Sequence, residues 1–159
     1  MPAIALYQPD IPQNTGTILR LGACLGLAVH VIGPAGFDMS GPALRRAALD
    51  YLDASTLVRH THWEAFRTWP HHAGARLVLF STRAETSYTD FTFRADDVLL
   101  FGRESAGVPD PVHAAADARL RIPIGRGMRS LNVAMAVAMA TGEALRQSGA
   151  FTEPGDQLP

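Results

Sequence analysis

The chain has 159 residues, of which 47% are hydrophobic and 18% are charged, so it has the length of one domain and enough apolar material for a packed core. Its formal net charge of −1 argues against a protein that coats nucleic acid through charge alone, since such domains carry a large basic excess. No apolar run is long enough to span a membrane, and the N-terminus MPAIALYQPD lacks the basic region and cleavage site of a signal peptide, so we expect a cytoplasmic protein with no membrane partner.

Short apolar segments alternate with helical segments along the chain. This alternation is typical of an α/β domain with a mainly parallel sheet flanked by helices. The expected strands are Ile4–Tyr7, Ala28–Ile32, Ser55–Val58, Leu77–Phe80, Val98–Phe101 and Leu120–Ile122. The expected helices are Thr15–Leu25, Pro42–Leu52, Trp63–Trp69, Asp110–Ala115 and Ser130–Ser148. We predict one domain over residues 1–151 and a polar, proline-bearing tail over residues 152–159 that frays.

The last predicted helix contains the sequence LNVAMAVAMATGEAL, which is apolar or small on nearly every face. A surface helix would instead show one apolar stripe. In a domain this small, the sheet can cover one face of the helix and a second copy of the chain can cover the other, so the pattern favours a homodimer. The alternative is a helix buried entirely within its own chain, which is hard to arrange with so few other helices.

The only cysteine, Cys24, lies in the apolar stretch from Leu21 to Leu27, where we expect a buried and unreactive thiol. Neither a redox function nor a zinc site is indicated, and the chain has no acidic cluster that would call for a metal. A nucleic-acid partner would have to be bound by a local basic patch, for which three arginine pairs are candidates. An ordinary solvated face is the preferred interpretation of the first two pairs. The pairs are Arg45 and Arg46, Arg119 and Arg121, and Arg126 and Arg129.

Three loops that run from a predicted strand into a helix carry most of the polar residues and glycines. The first loop, QPDIPQNTG at residues 8–16, offers Asn14 or Thr15 as the N-cap of a helix whose free N–H groups could hold an anion. Arg20 follows about one and a half turns into that helix. A common turn and a solvated arginine would explain these features equally well.

The second loop, FGRESAGVP at residues 101–109, follows the buried strand DVLLF. Ligands of parallel sheets bind where strands end, and Gly102 and Gly107 would let the backbone approach a ligand closely. Glu104 places a carboxylate in the same turn. The spacing fits neither a dinucleotide-binding loop nor a P-loop, and the alternative is a glycine-rich turn with a solvated glutamate.

The third loop, IPIGRGMRSLN at residues 122–132, combines two glycines with the cationic side chains of Arg126 and Arg129. Ser130 is suited to capping the helix that follows. Capping would not exclude a role for Ser130 in ligand binding.

Together and in this order, these segments resemble the SPOUT class of RNA methyltransferases, and within it the small tRNA (cytidine/uridine-34 2′-O)-methyltransferases. The matching segments are LYQPDIPQNTGTILRLGACLG, RRAALDY, LLFGRESAGVP and RIPIGRGMRSLNVAMAVA. The similarity extends over nearly the whole chain, and the joint order and spacing are more specific than any single motif. One departure is Gly142, because close relatives of this type carry an aromatic residue at that point of the last helix.

The resemblance implies a deep trefoil knot near the C-terminus and S-adenosylmethionine (SAM) as the cofactor. It also implies methyl transfer to a ribose 2′-hydroxyl, with the wobble nucleotide in the anticodon loop of tRNA as the expected substrate. Family members hold the adenosine mainly through backbone groups in an apolar slot, which explains why no nucleotide-binding fingerprint occurs here. The cofactor-binding residues carried over to this sequence are Phe80, Thr82, Gly102, Glu104, Ile122, Ser130 and Leu131.

The family analogy indicates Arg20 as the central catalytic residue. Since a guanidinium stays protonated to high pH and is a poor base, we expect Arg20 to orient the hydroxyl or a phosphate and to stabilise developing negative charge. Its role as proton acceptor stays open. Asn14 would position Arg20 or the ribose, and Glu104 would hold Arg20 or the cofactor in place. Asn132 would support the third loop, and Ser130 completes the predicted catalytic set.

Two other functions stay open. A related enzyme could modify another RNA or another tRNA position with nearly the same loops, although such relatives often carry an additional RNA-binding region. A non-catalytic RNA-binding or nucleotide-binding module could also keep this fold. The joint presence of Asn14, Arg20, Glu104, Ser130 and Asn132 argues against a module without activity.

Overall fold

The computed structural model describes residues 1–51, 56–69 and 74–151, so the expected fraying of residues 152–159 lies outside the described residues. The strands are β1 (Ala3–Tyr7), β2 (Ala28–Ile32), β3 (Thr56–His60), β4 (Leu77–Phe80), β5 (Thr86–Ser87), β6 (Val98–Phe101) and β7 (Ala118–Arg121). The helices are α1 (Pro12–Leu25), α2 (Pro42–Ala48), α3 (Trp63–Arg67), α4 (Asp110–Ala115) and α5 (Val133–Ser148), with a 3₁₀ turn at Tyr88–Asp90.

These strands form a single sheet in the order β3-β2-β1-β6-β4-β7-β5, and every neighbouring pair is parallel. The first half of the chain extends the sheet from β1 toward β3, and the second half extends it from β1 in the opposite direction. The carboxyl ends of β6, β4 and β7 therefore lie side by side, which brings the loops that follow them together. The predicted α/β class, with a parallel sheet flanked by helices, is confirmed.

Helices cover both faces of the sheet, and alternate residues of each strand enter one or the other apolar layer. Leu99 and Phe101 of β6 pack in the layer that contains residues of α1 and α5. Leu100 packs in the opposite layer, together with Phe66 of α3 and Val112 of α4. Because both faces are buried, the strands appear in the sequence as continuous apolar runs rather than as alternating patterns.

Helix α1 contacts α2 closely, and a Cβ atom on Gly16 would lie only 2.4 Å from the Cβ atom of Ala47. The prediction of a buried Cys24 is wrong, because its side chain is exposed. Helical periodicity turns Ile18 and Leu19 of α1 toward the core and places Cys24 on the opposite side of the helix. An apolar stretch within a helix is therefore not buried on all sides.

The start of α1 differs from the sequence prediction, which placed it at Thr15. The helix begins at Pro12, and Ile11 is the N-cap residue without a side-chain hydrogen bond, so neither Asn14 nor Thr15 caps it. Proline suits the first helical position, because its ring fixes φ and its missing N–H would have no partner there.

Helix α5 begins at Val133 rather than at Ser130. Its N-cap is Asn132, whose side-chain oxygen accepts hydrogen bonds from the N–H groups of Ala134 and Met135. The prediction that Ser130 caps this helix is therefore wrong. An asparagine two residues before the first buried helical position, Ala134, performs the same function as a serine would.

Smaller differences concern the ends of other elements. Strand β3 continues to His60, β7 covers Ala118–Arg121, α2 ends at Ala48 and α3 ends at Arg67. The predicted boundaries Leu52 and Ser55 lie outside the described residues. Strand β5 was not predicted, because two residues are too few to show any periodicity.

Candidate cofactor and catalytic site

A cavity of about 520 Å³ lies at the carboxyl ends of β4, β6 and β7, where the three loops meet. This volume is typical of sites that enclose a small molecule. Its wall includes all seven residues predicted to bind a cofactor, namely Phe80, Thr82, Gly102, Glu104, Ile122, Ser130 and Leu131. Asn14 and Asn132 of the predicted catalytic set also line it.

The second loop folds back on itself next to this cavity. The N–H group of Arg103 donates to the carbonyl oxygen of Gly107 at 3.1 Å, and the N–H group of Gly107 donates to the carbonyl oxygen of Arg103 at 2.8 Å. A Cβ atom on Gly102 would lie 2.5 Å from the carbonyl carbon of Gly107, and Gly107 itself has a φ angle of 64°. The glycines are therefore required by the close approach of the loop to itself.

Asp10 and Glu104 connect the first loop to the second. The N–H group of Asp10 donates to Oε2 of Glu104 at 3.0 Å, and the N–H group of Glu104 donates to Oδ1 of Asp10 at 3.1 Å. The hydroxyl of Ser105 donates to Oδ2 of Asp10. Burial raises the pKa of Glu104, and its interaction with Asp10 raises it further. The interaction with Glu104 and the hydrogen bonds from Ser105 lower the pKa of Asp10 to about 2.

Asn14 connects this pair to the third loop. Its amide nitrogen donates to Oε1 of Glu104 at 3.1 Å, and its amide oxygen accepts a hydrogen bond from Nδ2 of Asn132 at 2.9 Å. Asn132 in turn caps α5 through its side-chain oxygen. A continuous set of hydrogen bonds therefore links all three loops, and the predicted support of the third loop by Asn132 takes this form.

Arg20 does not line the cavity of its own chain. Its side chain is exposed on α1, and its guanidinium lies 5.1 Å from the ring centroid of Tyr51 in a cation–π contact. Glu104 hydrogen-bonds Asp10 and Asn14 and makes no hydrogen bond to Arg20 among the described residues, so its alternative role of holding the cofactor stays a prediction. The two side chains are separated because Arg20 lies further along α1, away from the end that contacts the cavity.

The three arginine pairs differ in what they contact. Arg45 and Arg46 are exposed on α2, as expected for a solvated face. Arg119 donates to the carbonyl oxygens of His113 and Ala114 near the end of α4, at 2.7 and 2.9 Å. Arg121 is exposed and donates to the carbonyl oxygen of Glu85 at 3.2 Å, so both arginines of this second pair also bind backbone carbonyl groups. In the third pair, Arg126 and Arg129 are both exposed, and Arg129 lines the cavity.

Sequence reasoning did not include Asp10 or Arg103 in the site. Arg103 lines the cavity, and its Nε atom is buried without a hydrogen-bond partner in the part of the chain that the structure describes. Asp10 could have been noticed as a carboxylate in the loop that follows the first strand, three residues after Tyr7. Its partner Glu104 lies 94 residues away in the sequence, so no local pattern indicates the pairing.

The described ranges 1–51, 56–69 and 74–151 hold neither a candidate metal site nor a candidate membrane-spanning helix. These residues contain no group of three or more side chains arranged to bind a metal ion. None of the helices within them has the length and apolar content needed to cross a membrane.

Comparison with known proteins places these features in a family. The sequence profile of the SpoU rRNA methylase family matches residues 1–142. The chain is 61% identical over 153 residues to a tRNA (cytidine(34)-2′-O)-methyltransferase of Beijerinckia indica, with 96% of each chain covered. A solved structure that gives insights into the 2-OH methylation of C/U34 on tRNA has a TM-score of 0.87 and 46% identity, covering 92% of this chain and 95% of the other.

A SpoU methyltransferase from Streptomyces viridochromogenes, solved in complex with AdoMet, has a TM-score of 0.83 and 27% identity over 92% of this chain and 60% of the other. The predicted resemblance is thus confirmed by sequence and by fold. The family profile covers most of the chain, and the loops that carry the motifs form one cavity. The chain therefore belongs to the SpoU methylase family of RNA methyltransferases.

Proposed function

We propose that the chain transfers a methyl group from SAM to the ribose 2′-hydroxyl of the wobble nucleotide of tRNA, a cytidine or uridine at position 34. The observation that carries this proposal is that all seven residues predicted to bind the cofactor line one cavity. The choice of tRNA is supported by the relatives named as tRNA (cytidine(34)-2′-O)-methyltransferases, which match the chain over almost its full length. A tRNA substrate is also in keeping with the expected cytoplasmic location.

The residues of the cavity fit the chemical groups of SAM. Phe80, Ile122 and Leu131 provide an apolar wall for adenine, beside backbone groups that the glycines leave accessible. The Nε–H of Arg103 has no partner among the described residues and suits a carboxylate, whereas the Glu104 carboxylate suits a cationic group. When bound, SAM supplies an electrophilic methyl group on a sulfonium centre.

The protein's task is then to align the ribose hydroxyl and to help remove its proton. Arg20 is the residue that we assign to orienting the hydroxyl or its phosphate and to stabilising negative charge. It lies outside the cavity of its own chain, so it would act on RNA bound across the mouth of that cavity or at the cavity of a second copy. Asn14, Glu104 and Asn132 would hold the surrounding loops in place through their hydrogen bonds.

A homodimer through the outer face of α5 forms part of this proposal. Met135 and Met139 lie about one turn apart on α5 and are 53% and 43% exposed, whereas Leu131, which is 40% exposed, precedes the helix and also lines the cavity. Such a stripe of large apolar side chains is typical of an interaction surface. Gly142 continues the stripe, and a Cβ atom there would meet nothing within 4 Å, so a partner helix could approach closely.

Light scattering tests the dimer. The wild-type protein should have the mass of two chains at micromolar concentration, and the double variant with Met135→Lys and Met139→Lys should have the mass of one. A monomeric wild-type protein at that concentration would contradict the dimer.

Methyl transfer to total tRNA in the presence of a chelator tests the function. Purified protein with isotopically labelled SAM should label one 2′-O-methylated nucleoside, which mass spectrometry would place at position 34. Labelling of another tRNA position, or of ribosomal RNA supplied in a parallel reaction, would show a related enzyme with a different substrate. Absence of SAM binding in calorimetry would instead indicate a non-catalytic module.

A further inference from the structure

Asp10 and Glu104 bind each other through both backbone and side chain. Each residue donates its backbone N–H to a carboxylate oxygen of the other, at 3.0 and 3.1 Å. Asp10 also accepts the hydroxyl of Ser105, so both of its carboxylate oxygens bind the second loop. This reciprocal arrangement ties together two segments that are 94 residues apart.

The backbone of Asp10 is supported from its other side by the loop that follows β2. The N–H group of Gly36 donates to the carbonyl oxygen of Pro9 at 2.8 Å. A Cβ atom on Gly36 would lie 2.8 Å from the Cβ atom of Asp10. Asp10 is therefore held between two loops, and it can act as a rigid support for Glu104.

Glu104 uses its two carboxylate oxygens for different partners. Oε2 accepts from Asp10, and Oε1 accepts from Asn14, which in turn binds Asn132. Glu104, Asn14 and Asn132 line the cavity, whereas Asp10 is not among the lining residues. Any effect of Asp10 on a molecule in the cavity therefore passes through the second-loop residues that its carboxylate contacts, Glu104 and Ser105, both of which line the cavity.

We propose that Asp10 is a positioning residue for methyl transfer, because its carboxylate accepts the backbone N–H of Glu104 and the hydroxyl of Ser105 and so fixes the turn from which the Glu104 carboxylate binds Asn14 and connects the three loops of the cavity. The proposal deepens the proposed function and rests on it. It assigns to Asp10 a contribution to SAM binding that passes through Glu104 and not through direct contact.

Charge at this point of the cavity supplies a second measurable consequence. The ionisable groups near Glu104 are Asp10 from the first loop, Arg103 from its own loop and Arg129 from the third loop. After burial, the interaction with Asp10 is the next largest cause that raises the pKa of Glu104. Replacing Asp10 should therefore lower the pKa of Glu104. If SAM affinity depends on the ionisation of Glu104, the pH at which that affinity changes should also move to a lower value.

The test compares Asp10→Ala, Glu104→Ala and the double variant with the wild type, using calorimetric SAM binding from about pH 5 to pH 8. Asp38→Ala is the matched control, since Asp38 accepts from the N–H group and hydroxyl of Ser40 at 2.8 and 2.7 Å in an exposed loop away from the cavity. Asp10→Ala should weaken SAM binding by about tenfold or more, as Glu104→Ala does, and the double variant should bind no more weakly than Glu104→Ala alone. Asp38→Ala should bind as the wild type does.

Additive losses in the double variant would overturn the proposal, as would unchanged SAM affinity in Asp10→Ala. If Asp10→Ala does not fold, Asp10→Asn keeps the shape of the side chain and removes its charge. The pH at which SAM affinity changes should then move to lower values in Asp10→Asn, and an unmoved profile would also overturn the proposal. A different result would contradict the proposed function, namely wild-type protein that binds SAM and does not methylate tRNA.

Discussion

Replacing Gly102 with alanine would place a Cβ atom 2.5 Å from the carbonyl carbon of Gly107 and 2.6 Å from its Cα atom. Both are backbone atoms, so relief requires the two segments of the loop to separate by about 1 Å. That separation breaks the two hydrogen bonds between Arg103 and Gly107, of 3.1 and 2.8 Å. At about 1 kcal/mol for each bond, the loop loses about 2 kcal/mol.

We expect Gly102→Ala to lower the free energy of unfolding, measured in urea, by about 2 kcal/mol. If the free protein instead relieves the distortion by rearranging the loop, SAM binding should weaken by about thirtyfold. Calorimetry and urea denaturation distinguish the two outcomes. Gly125→Ala is the matched control, because it changes a glycine of another site loop whose Cβ atom would meet nothing within 4 Å. If Gly102→Ala retains both wild-type stability and wild-type SAM affinity, the geometric reasoning about the second loop is refuted.

Four further outcomes are expected. Arg20→Ala should lower single-turnover methylation of tRNA by about 10² to 10³ while SAM affinity stays near wild type, and Arg20→Lys should restore little because lysine lacks the planar fork. SAM binding in calorimetry should be unchanged by a chelator, since the site is proposed to consist of backbone, apolar and charged protein groups. Asp97→Ala should destabilise the fold by about 3 kcal/mol in urea, because Asp97 is fully buried and pairs with Arg76 at 2.8 and 2.9 Å. The pKa of Asp10 is lowered from 3.8 to about 2, so its charge stabilises the folded state above about pH 4 and this contribution is lost as the pH falls toward 2. The difference between the free energies of unfolding of the wild type and Asp10→Asn, measured in urea, should therefore shrink between about pH 4 and pH 2.

The trefoil knot expected near the C-terminus follows from membership of the SpoU methylase family. Chain periodicity could not have indicated it, because periodicity reports the faces of single elements and a knot concerns the path of the whole chain. Periodicity along the chain could not have indicated the order of the strands in the sheet either. Apolar runs predicted which segments are strands, whereas the placement of β6 between β1 and β4 depends on which strands pair.

The sequence by itself determined the α/β class and the parallel sheet, and the family resemblance supplied seven of the residues that line the cavity. The class and the sheet follow from local features, because continuous apolar runs indicate buried strands. Phe80, Gly102 and Ile122 were carried over from the family resemblance, and all three line the same cavity.

Only the tertiary structure decided which side chains meet across that cavity. Asp10 binds Glu104 over 94 residues, Asn14 binds Asn132 over 118 residues, and Arg20 contacts Tyr51 outside the cavity. The physical reason is that a hydrogen bond depends on positions to within a few tenths of an ångström. Residue type and spacing along the chain determine which groups are available, and the packing of the strands determines which of them come within that distance.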